Sequence, residues 1–164
     1  MSWIKKLFGQ SSRANNSNPI EAFVCIEREQ EIEPNLSIEG AREKVLSVGE
    51  NAFVLTPSIG KPLPETLPVS VTSFFAEFDK VVCNFSDIFH SLDDIWFQPD
   101  TQIYIVGANG TWEYQLLCLP RPDSKLYFAY DGNEMPKCDY VFDSMWHYLW
   151  HEYNKAFRQN EFGD

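Results

Sequence analysis

Two apolar, β-favouring runs meet at Asn109-Gly110, and this pattern restricts the possible folds more than any other in the chain. The runs cover residues 103–106 and 112–119. Asn-Gly between such runs is a strong hairpin signal, because a type I′ turn needs positive φ at both central residues. A third apolar run at 126–130 predicts another strand, and the amphipathic C-terminal region predicts a closing helix. This order predicts an α+β fold, a single domain with a mostly antiparallel sheet whose central hairpin is packed by helices.

Helical and strand patterns can be assigned along the rest of the chain. Helices are predicted at 38–48, 69–82, 84–94 and 144–157, and brief strands at 22–26 and 53–55. The helix at 69–82 would carry a core-facing stripe made of Val71, Phe74, Phe75, Phe78 and Val82. The last helix would carry a stripe of Met145, Trp146, Leu149, Trp150, Tyr153 and Phe157. Asp143 is its predicted N-cap, because a carboxylate can accept from the free amides of the first turn.

The first 19 residues differ in character from the rest of the chain. Apolar side chains at positions 3, 4, 7 and 8 share one helical face, and 9–19 is rich in Ser and Asn. This composition predicts a short amphipathic segment and a flexible linker at 1–19, followed by one domain at 20–164. Two helical turns are too short for firm membrane binding, so we expect the segment to dock on the domain or to fray.

The charge of the chain restricts its partners. The 164 residues carry a formal net charge of −11, with a sequence pI of about 4.6. Nucleic-acid binding needs clustered Lys and Arg, so no nucleic-acid partner is expected, and an acidic surface favours a basic protein partner. The chain has no apolar run long enough for a membrane span, so we expect a cytoplasmic protein. Its cysteines form no C-x-x-C pair and are expected to be buried, reduced thiols: Cys25, Cys83, Cys118 and Cys138.

No constellation of residues in the sequence points to catalysis. His147 and His151 have the i, i+4 spacing of a metal site, but they fall opposite the apolar stripe and no third ligand can be identified. We therefore predict a solvated helix face there, with no metal and no cofactor. His90 lies close in sequence to Asp87 and to Asp93-Asp94, but no nucleophile stands in a recognisable motif.

Aromatic and acidic residues are the better candidates for function. Trp96 and Trp112 lie on the predicted sheet, where an exposed aromatic ring supplies binding area at low entropic cost. Acidic residues are concentrated at Asp93-Asp94 and in an alternating cluster formed by Glu27, Glu29, Glu31 and Glu33. The alternation suits the outward face of a strand, and a solvated face with no binding role would show the same pattern. These eight residues are the predicted partner contacts.

The order of motifs in the second half of the chain resembles a known family. Residues 103–114 run from a hydrophobic strand through a small polar turn into an aromatic strand, and 126–134 form a further strand followed by acidic residues. A serine–aromatic pattern at 143–149 introduces the last helix, and Leu67-Pro68 precedes an aromatic-rich helix. Over about residues 68–153 this arrangement resembles the SUKH superfamily, which includes fungal cell-wall-assembly regulators and many bacterial toxin-immunity proteins. At 83–86, Cys-Asn-Phe-Ser stands where that family usually has Asn-Gly-Gly.

The resemblance implies a cytosolic protein without catalytic activity. Such a protein binds a cognate toxin domain, commonly a nuclease or a deaminase, and blocks it. We therefore expect an immunity-type binding module with a basic protein as its partner. The residues themselves leave two alternatives open: a small metal-assisted hydrolase that uses His147 and His151, and a peripheral membrane or assembly factor that uses residues 1–8.

Overall fold

The computed structural model describes residues 35–109, 114–130 and 137–161, and for Tyr130, Lys137, Asp139 and 158–161 only the backbone. These ranges form two antiparallel sheets and three helices, so the predicted α+β single domain is confirmed. In chain order the elements are α1 (Ile38–Val48), β1 (Phe53–Pro57), α2 (Val69–Phe75), β2 (Phe78–Cys83), β3 (Phe89–Ser91), a 3₁₀ turn (Leu92–Asp94), β4 (Trp96–Gln98), β5 (Ile103–Asn109), β6 (Tyr114–Cys118), β7 (Leu126–Tyr130), β8 (Lys137–Phe142) and α3 (Met145–Glu161).

The larger sheet has the order β4-β5-β6-β7-β8 and contains the predicted hairpin. Strands β5 and β6 pair antiparallel, with Tyr104 opposite Cys118 and Ile105 opposite Leu117. The register shifts between Ile105 and Gly107, so β5 carries a bulge there. The turn itself, 110–113, lies outside the described residues.

The smaller sheet has the order β1-β2-β3, with its inner face buried in the core and its outer face partly exposed. Its inner face contributes Phe53 and Val81 to the core, because side chains of a strand alternate between the two faces. Its outer face presents one exposed cross-strand row, in which Val54 is opposite Val82 and Val82 is opposite Phe89. An isolated bridge between Ile88 and Asn109 joins this sheet to the larger one.

Helix α3 lies at the centre of the main hydrophobic core. Its residues Met145, Trp146 and Leu149 are fully buried, as the apolar stripe predicts, whereas Trp150 is only partly buried and Phe157 is exposed. The N-cap prediction was wrong by one residue. The Ser144 hydroxyl accepts from the His147 amide at 3.3 Å, while the Asp143 carboxylate is paired with Lys125. Ser144 therefore satisfies a first-turn amide that Asp143 was expected to satisfy.

Two predicted helices were wrong in extent or in type. The helix predicted at 69–82 ends at Phe75, and the chain turns at Ala76-Glu77 into β2. Phe78 has the sequence spacing of the helical stripe but belongs to a strand. Apolar residues in a half-buried strand can fall at the same sequence intervals as those of an amphipathic helix. The helix predicted at 84–94 is instead β3 and the 3₁₀ turn. Strand β8 was not predicted, and β4 contains Trp96, which was predicted to lie on the sheet without a strand being assigned there.

Three further predicted elements and the predicted burial of the described cysteines were confirmed. Helix α1 has the predicted bounds, β1 contains the predicted 53–55 strand, and β7 has the bounds of the third apolar run. The cysteines at 83, 118 and 138 are buried, reduced thiols. None of the helices in the described ranges combines the length and apolar character needed to cross a bilayer. Residues 1–34, with the predicted linker and the 22–26 strand, lie outside those ranges.

Candidate partner-binding site

Two of the predicted acidic contacts lie in the 3₁₀ turn that connects the two sheets. Leu92 anchors this turn in the core, and the Ser91 hydroxyl accepts from the Asp93 amide at 3.3 Å. Asp93 and Asp94 follow on the solvent side and are exposed. The turn is therefore held by one buried side chain and one cap, while its carboxylates remain available to solvent.

Trp96 lies two residues further, on the edge strand of the larger sheet. Its only neighbouring strand among the described elements is β5, where it is opposite Ile105. Because an edge strand has a neighbour on one side only, its side chains are less covered than those of central strands. Trp96 is 46% exposed, against 1% for Ile105, its cross-strand partner on β5. A large ring with this exposure is a candidate anchor for a partner.

The charged residues that lie close to Trp96 in sequence are all acidic. Lys61 Nζ contacts the two carboxylate oxygens of Asp93 at 3.0 and 3.2 Å, which neutralises that residue. Asp94 and Asp100 are exposed, and neither has an ion pair within the described ranges. We call Asp93, Asp94, Trp96 and Asp100 the acidic edge. An aromatic face with nearby carboxylates suits a Lys or Arg side chain, through cation–π and charge-assisted contacts.

The other predicted contacts cannot be placed relative to this edge. The glutamates at 27, 29, 31 and 33 and Trp112 lie outside the described residues. Asp93, Asp94 and Trp96 are exposed and follow one another closely along the chain, as does Asp100, which the sequence analysis did not single out. Asp100 follows β4 directly after Pro99, and a strand–Pro–Asp pattern is the signal that could have identified it.

The prediction that His147 and His151 lie on a solvated face was wrong. His147 is half-buried, with Nδ1 2.7 Å from the Ser144 hydroxyl and Nε2 2.7 Å from the Leu36 carbonyl oxygen. His151 is 4% exposed, with its ring centre 4.4 Å from that of Tyr140 and 5.2 Å from that of Phe142. Helix α3 is covered by α1 and β8 as well as by the core side, so it has no broad polar face. Within the described ranges, no three His, Cys, Asp or Glu side chains are grouped to hold a metal ion.

A buried polar cluster at the join of the two sheets was not predicted. His90 lies on β3 and is fully buried, and its Nε2 is 3.2 Å from the Tyr148 hydroxyl, which donates to Asn109 Oδ1 at 2.8 Å. Because Tyr148 gives its single proton to Asn109, it accepts from Nε2–H of His90. The Nδ1 lone pair of His90 then has no hydrogen-bond partner in the described part of the chain.

Burial disfavours the charged forms of the ionisable groups in this region. It lowers the pKa of His90 to about 4 and raises the pKa of Tyr148 well above its usual range. Burial also raises the pKa of Glu152, and burial together with the Glu152 charge raises the pKa of Cys83 to about 12. A thiol with so high a pKa is a poor nucleophile, and a neutral imidazole surrounded by core residues contributes to packing rather than to proton transfer with solvent.

The acidic edge is therefore the site at which the described residues offer an exposed, chemically specific surface. Its recognition elements are one aromatic face and two carboxylates that have no ion pair with any described residue. Comparisons of the chain with protein-family models, with curated proteins and with solved structures found no match.

Proposed function

We propose that this protein is a non-catalytic binding module of the immunity type, which neutralises a cognate toxin domain by stoichiometric binding. The observation that carries the proposal is the acidic edge, where Trp96 is 46% exposed beside carboxylates that lack ion-pair partners in the described ranges. The motif order shared with the SUKH superfamily supports the choice of a toxin domain as partner and of the cytoplasm as the site of action.

Charge supports a basic partner. The net charge of −11 produces a negative field that accelerates the encounter with a positively charged protein. Toxins that cleave or modify nucleic acid need a basic cleft for their own substrate. An acidic protein that covers such a cleft both gains association rate and blocks substrate entry.

The packing of the two α3 histidines favours a binding module over a metal-assisted hydrolase. Both ring nitrogens of His147 are engaged, one with Ser144 and one with the Leu36 carbonyl. His151 packs against the adjacent rings of Tyr140 and Phe142. A shared metal ion would need His147 to give up one of its two hydrogen bonds.

Partner capture from the native cell tests the proposal. Tagged full-length protein should recover one basic protein at a ratio of one to one, and Trp96→Ala and Asp94→Lys should each reduce that recovery strongly. Two variants that change other exposed positions serve as controls: Phe89→Ala on the outer face of the small sheet, and Glu43→Lys on α1. Equal capture by all variants would remove the acidic edge as the contact surface. Turnover of a substrate by the pure protein, with no partner captured, would contradict the binding-module function itself.

A further inference from the structure

One aliphatic side chain projects into solvent from the loop between β1 and α2. Ile59 is 76% exposed, the highest value among the large hydrophobic side chains in the described ranges, and Val69 follows at 53%. Single apolar residues are common on protein surfaces, so exposure alone assigns no function to Ile59. Two further properties of its loop do point to a role in binding: a fixed backbone and a direct link to the acidic edge.

The loop that carries Ile59 is attached to the fold on both sides of this residue. We call residues 58–63 the Ile59 loop. At its start, the Ser58 amide donates to the Glu77 carbonyl oxygen at 2.8 Å, in the turn that precedes β2. At its end, Leu63 packs against the main core. The two attachments hold the loop against the domain while the Ile59 side chain remains in solvent.

The backbone after Ile59 is restricted as well. Gly60 has a φ of 81°, in the left-handed region that glycine adopts without strain, and its amide donates to the Ser58 hydroxyl at 3.2 Å. Pro62 has a fixed φ and favours extended backbone at Lys61, the residue before it. Because the loop is already ordered, a partner that takes up the Ile59 side chain loses little free energy to ordering it.

An ion pair joins the Ile59 loop to the acidic edge. Lys61 Nζ contacts the two carboxylate oxygens of Asp93 at 3.0 and 3.2 Å, and Trp96 follows Asp93 by three residues. An extended chain spans at most about 3.6 Å per residue, so the Cα atoms of Ile59 and Lys61 lie within about 7 Å of each other. A standard protein interface covers about 800 Å² on each partner, a patch roughly 30 Å across. One partner of ordinary size can therefore contact Ile59 and Trp96 together.

We infer that Ile59 is an apolar anchor of the same interface as the acidic edge, and that the partner has an aliphatic pocket beside its basic residues. The inference rests on the proposed function, since it specifies the chemistry of that partner. A few apolar or aromatic side chains that become enclosed in the complex supply most of the affinity of an interface, whereas exposed charges act mainly on the association rate. Ile59 and Trp96 then hold the complex together, and the carboxylates steer its formation.

Binding of full-length variants to the basic protein that the wild-type chain captures tests the inference. Ile59→Gln leaves the net charge unchanged and should raise the dissociation constant at least tenfold, chiefly through faster dissociation. Ile59→Leu keeps the aliphatic volume and should bind within about threefold of the wild-type protein. Leu46→Gln, at an exposed position of α1, is the matched control and should bind as the wild-type protein does. Because the Ile59 side chain lies mostly in solvent, Ile59→Gln should keep the wild-type midpoint of urea unfolding, which separates lost binding from misfolding.

The outcomes distinguish this inference from the proposed function. Wild-type affinity in Ile59→Gln, together with lost binding in Trp96→Ala, would remove Ile59 from the interface and leave the binding-module function in place. Equal losses in Ile59→Gln and Leu46→Gln would show that Ile59 has no particular part in binding, which also overturns the inference. Capture of no protein by the wild-type chain would overturn the inference and the proposed function together.

Photo-crosslinking shows directly whether one partner covers both anchors. With p-benzoylphenylalanine at position 59 or at position 96, the full-length protein should label the same basic protein. The same photo-reactive residue at position 46, on α1, should not label it. Labelling of different proteins from positions 59 and 96 would overturn the inference, and so would labelling from position 59 that is no stronger than from position 46.

Discussion

The imidazole of His90 occupies the space into which a side chain at Gly107 would project. An added Cβ at position 107 would collide with His90 Nδ1 and would lie 2.9 Å from Cε1. His90 belongs to the smaller sheet and Gly107 to the larger one, and the isolated Ile88–Asn109 bridge lies at the same join. Glycine at 107 therefore permits the close approach of the two sheets, and the β5 bulge beside it sets the position of the backbone.

We expect Gly107→Ala to destabilise the fold by about 1–3 kcal/mol, the range for overpacking a well-packed core. Urea denaturation of the variant and of the wild-type protein measures this. In a His90→Ala background the obstructing ring is absent, so the same substitution should have a much smaller effect. Equal effects in the two backgrounds would show that the two positions are not coupled through this contact.

Protonation of buried histidines should make the fold sensitive to acid. Burial lowers the pKa of His90 to about 4 from an ordinary value of 6.5, and burial with nearby Lys155 does the same for His151. The unfolded chain therefore binds these protons first. The stability contributed by the neutral imidazoles is complete above about pH 6.5 and is lost as pH falls towards about 4. Glu152 acts in the opposite direction, because its pKa is raised in the folded state.

The acid sensitivity can be assigned by substitution. Unfolding free energies measured from pH 7 down to about pH 4 should fall less steeply in His90→Gln and in His151→Gln, and least steeply in the double variant. If the double variant and the wild-type protein lose stability in parallel, other groups are responsible for the acid sensitivity.

Substituting alanine for each of the two tryptophans on the apolar stripe of α3 should lower the stability of the fold by different amounts. Trp146 is fully buried, its Nε1 donates to the Ser73 carbonyl at 3.1 Å, and its ring centre is 4.9 Å from that of Phe74. Trp146→Ala should therefore lower stability by about 3–5 kcal/mol. Trp150 is partly buried, with Lys44 Nζ 5.3 Å from its ring centre, so Trp150→Ala should cost clearly less. A chemical denaturation series that ranks them in the reverse order would contradict this packing.

The α3 histidines should prove structural. His147→Ala removes the hydrogen bond to the Leu36 carbonyl and the contact with Ser144, so we expect a loss of about 1–2 kcal/mol in stability. The metal content of the purified protein, measured by elemental analysis, should be the same in the wild-type protein and in the His147→Ala/His151→Ala variant. Stoichiometric zinc that disappears in the double variant would restore the hydrolase alternative.

Local sequence signals were sufficient to predict the elements that are marked by a turn motif or by a strongly periodic apolar pattern. The Asn109-Gly110 pair predicted the hairpin, and the apolar spacing of α3 identified its buried side. The failures concern properties that depend on the other parts of the fold. Phe78 satisfies a helical and a strand pattern equally well, and only the pairing with β1 decides between them. His151 could not be recognised as buried, because its cover comes from Tyr140 and Phe142 on β8, a strand that was not predicted.

The sequence could predict which residue types form the candidate site, but not which of their side chains are exposed. Trp96 and Tyr104 both lie in aromatic, β-favouring sequence, but Trp96 is on the edge strand β4, on the sheet face opposite to the one on which Tyr104 packs in the main core. Strand order is a long-range property that periodicity does not encode. For the same reason, the buried cluster of His90, Tyr148 and Asn109 combines residues that are distant in sequence and carry no common motif.

Binding to the basic partner should depend on salt mainly through the association rate. Exposed charges act at long range and are screened over a Debye length of about 8 Å at physiological ionic strength. Asp94 and Asp100 are exposed and have no ion pair within the described ranges, whereas Asp93 is already paired with Lys61. The double variant Asp94→Lys/Asp100→Lys should therefore associate more slowly and lose much of the salt dependence. Asp93→Asn should have a smaller effect, because its charge is already compensated.

Stopped-flow or surface-based kinetics with the captured partner, at a series of salt concentrations, measure this difference. Glu43→Lys on α1 is the charge-matched control and should keep most of the wild-type rate and salt slope. Trp96→Ala should act differently from the charge variants. Losing an aromatic side chain that becomes buried in the complex mainly accelerates dissociation. If charge reversal at the acidic edge and at Glu43 slows association equally, the net charge of the chain drives the encounter and the edge has no special part in it.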